Sequence, residues 1–175
     1  MVALRFNDAE VTQLLSELKP LPSRWERRLL NLRAKRELSQ RRSGLAVRGQ
    51  TGEFEIKVRQ STIQPLDFSV VVAFRKRNEN SWFILRRYNG RHPGPHLNKP
   101  VNGPKQTIVG FHIHMATEEA QSRGRDEESF AVETSKYADV LSAIEFALND
   151  CNFAKPKVEE DRNPDQYRFW KRNDD

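Results

Sequence analysis

Between residues 54 and 59 apolar and charged side chains alternate without exception: Phe54, Ile56 and Val58 against Glu55, Lys57 and Arg59. A period of two places the apolar set on one face and the charged set on the other, as a strand with one face in a core requires. Shortly after comes Phe68–Phe74, a near-continuous apolar run that reads as the central strand of a sheet. Turn residues separate these runs from their neighbours. Gln50-Thr51-Gly52-Glu53 forms a hairpin turn back to a strand over Leu45–Arg48, opened by Gly44. Asn78-Glu79-Asn80 turns the chain into a strand over Trp82–Tyr88, and Thr107–Met115 reads as a further strand. Short connections of this kind join antiparallel strands.

Helices flank this block. Val11, Leu14, Leu15 and Leu18 recur at helical spacing behind a cap at Asn7 or Asp8, and Pro20 stops the helix. Ser23 and Glu26 have capping-box spacing, and the stretch from Arg24 puts Trp25, Leu29 and Leu32 on one face. The acidic stretch after Thr117 is helix-prone. Tyr137–Cys151 is a helix with Val140, Leu141, Ile144 and Leu148 on one face. The expected class is α+β: a mainly antiparallel sheet of about five strands, with N-terminal helices and a C-terminal helix on one face. Residues 1–42 form a helical basic segment, 43–154 the α+β core, and 155–175 a charged tail in which Tyr167, Phe169 and Trp170 are docking candidates.

Charge is unevenly spread. Residues 1–110 hold 21 Lys/Arg against 9 Asp/Glu, while residues 111–175 hold 9 against 15. Segment 24–48 is basic through arginine, with Lys35 its one lysine. Arginine forks match phosphate oxygens better than lysine does, so a polyanion is the expected partner. The candidate contacts are Arg27, Arg28, Arg33, Lys35, Arg36, Arg41, Arg42, Arg59, Arg86, Arg91 and Lys105. The opposing reading is a solvated surface balanced by the acidic C-terminal region. A single cysteine, Cys151, admits no internal disulfide and reads as a buried filler in a cytoplasmic protein. No signal peptide and no apolar run of membrane-spanning length is expected.

All four histidines fall between residues 92 and 114. His112-Ile113-His114 on a strand puts both imidazoles on one face, and the loop after Tyr88 can bring His92 and His96 beside them. Three chemistries fit. Histidines titrate near neutral pH and can serve as base and acid in metal-independent RNA cleavage, with Arg86, Arg87 or Arg91 stabilising the phosphorane and Tyr88 orienting. Alternatively, His112 and His114 simply pin a Pro- and Gly-rich loop to the sheet. In the third, His-x-His with Glu118 or Glu119 holds zinc, nickel or iron in cupin fashion. Asp67, beside Phe68-Ser69, reads first as the capped entry to the central strand and second as an orienting carboxylate. Phosphate-loop, dinucleotide, cysteine–zinc and nucleophile-elbow motifs are absent from the sequence.

Several motifs then recur in a fixed order: Arg59-Gln60-Ser61, Pro65-Leu66-Asp67-Phe68-Ser69, Arg87-Tyr88-Asn89-Gly90, His96-Leu97-Asn98, Phe111-His112-Ile113-His114 and Ala116-Thr117-Glu118. Over about residues 45–153 this series resembles a bacterial family of small proteins with no assigned function. At the level of short motifs it is also similar to toxins of bacterial toxin–antitoxin modules, although Asn89 stands where those carry an acid. The resemblance implies a toxin-like or defence-associated RNA-directed endonuclease using His112, His114, His96, Tyr88 and Arg87. It needs no cofactor and no metal, and its expected partner is RNA or another nucleic acid, with an acidic antitoxin-like protein as a further candidate. The alternative is a non-enzymatic nucleic-acid-binding or regulatory protein with structural histidines, and a metal-dependent enzyme of cupin type comes third.

Overall fold

The computed structural model describes residues 5–34, 39–91, 94, 96–98, 106–125 and 130–156. In chain order the elements are α1 (Asp8–Ser16), β1 (Lys19–Pro20), α2 (Trp25–Leu29), β2 (Arg33–Ala34), β3 (Gln40–Arg48), β4 (Gly52–Ser61) and β5 (Phe68–Lys76). They continue with β6 (Phe83–Asn89), β7 (His96–Asn98), β8 (Gln106–Ile108), β9 (His112–Met115), α3 (Glu118–Ser122), β10 (Phe130–Glu133), α4 (Val140–Asp150) and β11 (Phe153–Ala154). The class is α+β, built on a seven-stranded sheet of order β10-β9-β6-β5-β4-β3-β2 in which every pair is antiparallel. As expected, the apolar run of β5 lies at the centre. Among the described residues no helix is long and apolar enough to cross a membrane.

Strand parity decides the core. Phe54, Ile56 and Val58 on β4 lie in register with Phe74, Val72 and Val70 on β5, and with Val47, Leu45 and Ser43 on β3. These apolar residues share one core with Val11, Leu14 and Leu15 of α1, Trp25 and Leu29 of α2, and Ile144, Ala147 and Leu148 of α4. The helices therefore bury their apolar sides on one face of the sheet, where burial of each large side chain contributes about 2 kcal/mol.

The caps explain where helices begin. Asn7 accepts from the Glu10 backbone N–H while Glu10 reaches back to Asn7 N, a complete capping box. Asp139 and Ser142 do the same for α4. At α2 the expected Ser23–Glu26 box does not form. The N-cap is Arg24 in the left-handed region (φ 60°), and the Trp25 N–H is met by the Pro22 carbonyl instead. That turn yields only five helical residues, and Ser43 Oγ closes the far end by donating to Leu29 O (2.6 Å).

The remaining differences have simple physical reasons. β3 begins at Gln40, so the boundary placed at residue 43 falls inside a strand, and Arg41 and Arg42 are strand residues. Thr107–Met115 is two strands in two sheets, β8 with β7 and β9 with β6. β2 and β10 extend the sheet at its edges; β10 sits in an acidic stretch expected to be helical. Leu141 is 53% exposed, because at 100° per residue it turns away from the stripe that Ala143 and Ala147 complete. Tyr167, Phe169 and Trp170 lie outside the described residues.

A second, smaller clasp joins the segment after α1 to the segment after α4. β1 pairs in parallel with β11, Lys19 opposite Phe153. Lys19 is fully buried. Its Nζ donates to three carbonyl oxygens, Leu15 (3.0 Å), Glu17 (2.6 Å) and Cys151 (2.8 Å), and lies 4.5 Å from the Phe54 ring centre. The ammonium thus satisfies carbonyls left over at the C-terminal ends of α1 and α4, where the helix dipoles favour a cation.

Candidate functional site

The face of the sheet away from the core carries the polar residues. Following the register across six pairings gives one continuous row: Arg33, Arg42, Arg59, Ser69, Asn89, His112, Glu133. The next row reads Gly44, Lys57, Val71, Arg87, His114, Ala131. His112 and His114 do share this face, with ring centres 5.0 Å apart, and Arg87 is the cross-strand neighbour of His114.

His112 is built in. It is 1% exposed, its Nδ1 lies 2.9 Å from the Gly110 carbonyl oxygen, and its Nε2 lies 3.2 Å from Asn89 Nδ2. A carbonyl only accepts, so Nδ1 carries the proton; Nε2 then accepts from the Asn89 amide. Both nitrogens of a neutral imidazole are used. From the core side Tyr137 donates its hydroxyl to the carbonyls of Asn89 (3.1 Å) and His112 (2.8 Å), stapling β6 to β9 at this pair. Burial raises the Tyr137 phenol far above its ordinary value, so it stays a donor. His114, 7% exposed, sits two residues further along the same face.

Tyr88 does not join this group. It pairs with Val70 and Ile113 on the core face, fully buried, and donates to Asp150 Oδ2 (2.6 Å) beside Cys151 Sγ (3.2 Å). Burial first, and the neighbouring Cys151 and Asp150 second, push its phenol well above the usual range. Arg86 is likewise turned to the core face, where it pairs with Asp150. The sequence places Arg86, Arg87 and Tyr88 together as neighbours, and the pleat sends Arg87 to one side and the other two to the opposite side. Cys151 is fully buried as expected, and burial lifts its thiol to about 11.

His96 lies in β7, whose backbone pairs with β8 in a separate two-stranded sheet. His92, Lys35, Arg36 and Lys105 are outside the described residues. Arg27 and Arg28 are exposed on α2, Arg41 is exposed on β3, and the Arg91 guanidinium stacks 5.3 Å from the Phe111 ring. Glu118 and Glu119 open α3, and among the described residues no three His, Cys, Asp or Glu side chains gather as metal ligands. Arg59-Gln60-Ser61 and Pro65–Asp67 form the β4–β5 turn. Arg59 pairs with Asp67 (2.7 Å), Gln60 donates to Pro65 O, and Ser61 Oγ accepts from Ile63 N and Gln64 N.

Three arginines in one row, on adjacent strands about 4.8 Å apart, repel one another. Arg59 has Asp67; among the described residues Arg33 and Arg42 have no carboxylate partner, and both are exposed. The parity of Arg42 and Arg59 is readable from the alternation, but their alignment with Arg33 depends on β2, a two-residue strand with no periodic signal. Set beside known proteins, the chain matches no protein-family model, no curated protein and no solved structure.

Proposed function

We propose that the protein is a non-enzymatic nucleic-acid-binding protein that holds a phosphate backbone on the second face of its sheet, with histidines that serve the fold. The observation that carries this reading is the cross-strand row Arg33–Arg42–Arg59, in which, among the described residues, Arg59 alone has a carboxylate partner, Asp67. Like charges opposed across strands are destabilising, and a bound polyanion offsets that cost. The two committed nitrogens of His112 support a structural rather than proton-transferring role. The buried free thiol of Cys151 fits a reducing, cytoplasmic setting.

The test is titration of labelled RNA and single-stranded DNA by anisotropy at several salt concentrations. Affinity should fall linearly with salt on a log–log scale, with the slope set by the number of phosphates contacted. Arg33→Ser/Arg42→Ser should weaken binding about tenfold at low salt and make the slope shallower. Binding that ignores salt, or only an acidic protein being bound, overturns the reading.

A toxin-like nuclease is the second reading, favoured by His114 facing Arg87 across the strand pair beside His112. It predicts that expression degrades cellular RNA and that His114→Ala abolishes this. Intact RNA under wild-type expression removes it.

A further inference from the structure

At the opposite end of β3 and β4 from the arginine row, the two hairpin tips form an open cleft of about 500 Å³. Four cations line it: Arg48, Arg75, Lys76 and Arg77. Two carboxylates accompany them, Glu53 and Glu79. Glu53 is shared, pairing with Arg75 and approaching Arg48 Nε at 4.0 Å, and its Arg75 bond holds its carboxyl below the usual range. Among the described residues Lys76 and Arg77 have no carboxylate partner: Lys76 lies 5.0 Å from the Phe6 ring, and Arg77 reaches only the Gln50 carbonyl at 3.4 Å. The cleft therefore keeps a positive surplus. Beside it stands half-buried Trp82, with the Arg75 guanidinium 4.6 Å from its ring centre.

Arg48 and Arg75 lie on the same face as Arg42 and Arg59, since residues two apart along a strand share a face. Six residues of β3 separate Arg42 from Arg48, roughly 20 Å of strand. Between the two ends Lys57 is neutralised by Glu55 (2.7 Å). Along β3 and β4 the face thus has two positive poles with a neutral stretch between them. We infer that the hairpin-end cleft is a second phosphate anchor, and that the occupant is a single-stranded nucleic acid running along β3 and β4 with a base against Trp82. This rests on the nucleic-acid reading above and adds the strandedness, the direction and the minimum length. At about 3.4 Å per stacked nucleotide the two poles are spanned by roughly six nucleotides. An aromatic platform flanked by cations binds unpaired bases, whose faces a duplex hides.

The experiment titrates the full chain with labelled oligouridylates and oligothymidylates of about three, six and twelve nucleotides, site sizes typical of single-strand binders. Wild-type affinity should rise about tenfold or more from the shortest to the middle length, then level off, because both poles are then engaged. Arg48→Ser/Arg77→Ser removes two exposed side chains, and circular dichroism should confirm an unchanged fold. This variant should keep the affinity for the shortest oligomer, lose the gain with length, and show a salt slope shallower by about 1.4, as two lost single-strand phosphate contacts require. Emission of Trp82 should be quenched by the middle length, with Trp82→Phe removing the signal. Wild type that binds oligomers but loses nothing in the double variant overturns the second anchor and leaves the first standing. Equal binding of a duplex overturns the single-strand assignment. Wild type that binds no oligomer at all fails at the earlier reading.

Discussion

At the scale of single residues, Lys19 is the side chain on which most depends. Its ammonium serves three carbonyls, of which those of Leu15 and Cys151 are buried and that of Glu17 partly so. Lys19→Met keeps the apolar stem and removes the donors, leaving buried acceptors unpaired at ~1–3 kcal/mol each. Urea denaturation should show a loss of ~3 kcal/mol or more. The residue also makes stability depend on pH. Burial lowers its pKa from 10.5 to about 8. Between those values the unfolded chain binds the proton more readily than the folded one, so the Lys19 contribution to stability rises with pH from about 8 to 10.5. In Lys19→Met that rise should be missing. A lysine between Leu18 and Pro20 carries no mark of this in the sequence: it reads as a surface charge beside a helix stop, and only the meeting of two helix ends reveals its role.

Among the elements, the turn after β6 shows how a short motif can be read correctly in position and incompletely in purpose. Gly90 follows Asn89 where β6 passes the β4–β5 turn, and its N–H donates to the Phe68 carbonyl (2.9 Å). A Cβ at Gly90 would collide with the Leu66 carbonyl oxygen and sit 2.7 Å from the Phe68 ring. Gly94 contrasts with it: its φ is +85°, but among the described residues nothing stands within 4 Å. Gly90→Ala should therefore destabilise by more than ~3 kcal/mol, through a backbone clash. Gly94→Ala should lose only about 1 kcal/mol, the cost of a left-handed non-glycine. Chemical denaturation of the two variants separates them, and equal losses would contradict the close approach. The same turn joins Arg59 to Asp67, so the series Arg59-Gln60-Ser61, Pro65–Ser69 and Asn89-Gly90 is largely a single packing unit. Residues drawn together by a turn look, in one dimension, much like residues drawn together by a reaction.

For the whole molecule, period-two patterning made the centre of the sheet legible, because alternation at Phe54, Ile56 and Val58 has one physical meaning. The edges were not legible. β2 is two residues long, and β10 is a four-residue run among acids, so both are held by tertiary pairing rather than by local preference. That limit carried over to the site. His112 and His114 on one face followed from the pleat. Proximity along the chain groups Tyr88 with them, whereas its own parity sends it to the core against Asp150 and Cys151. The arginine row needed the register of three strands, one of which has no sequence signature.

The pairing of β1 with β11 has a consequence for the order of manufacture. Lys19 is made before its last partner, since the Cys151 carbonyl that completes its set follows 132 residues later. Until then the ammonium cannot be sealed beneath Phe54 and Phe153, and the C-terminal end of the first helix lacks this clasp. A nascent chain halted before α4 should stay open to protease, its helical N-terminal region loosely held. Emergence of residue 154 from the ribosome should convert it to the resistant form in one step, since contacts so distant in sequence close late and together.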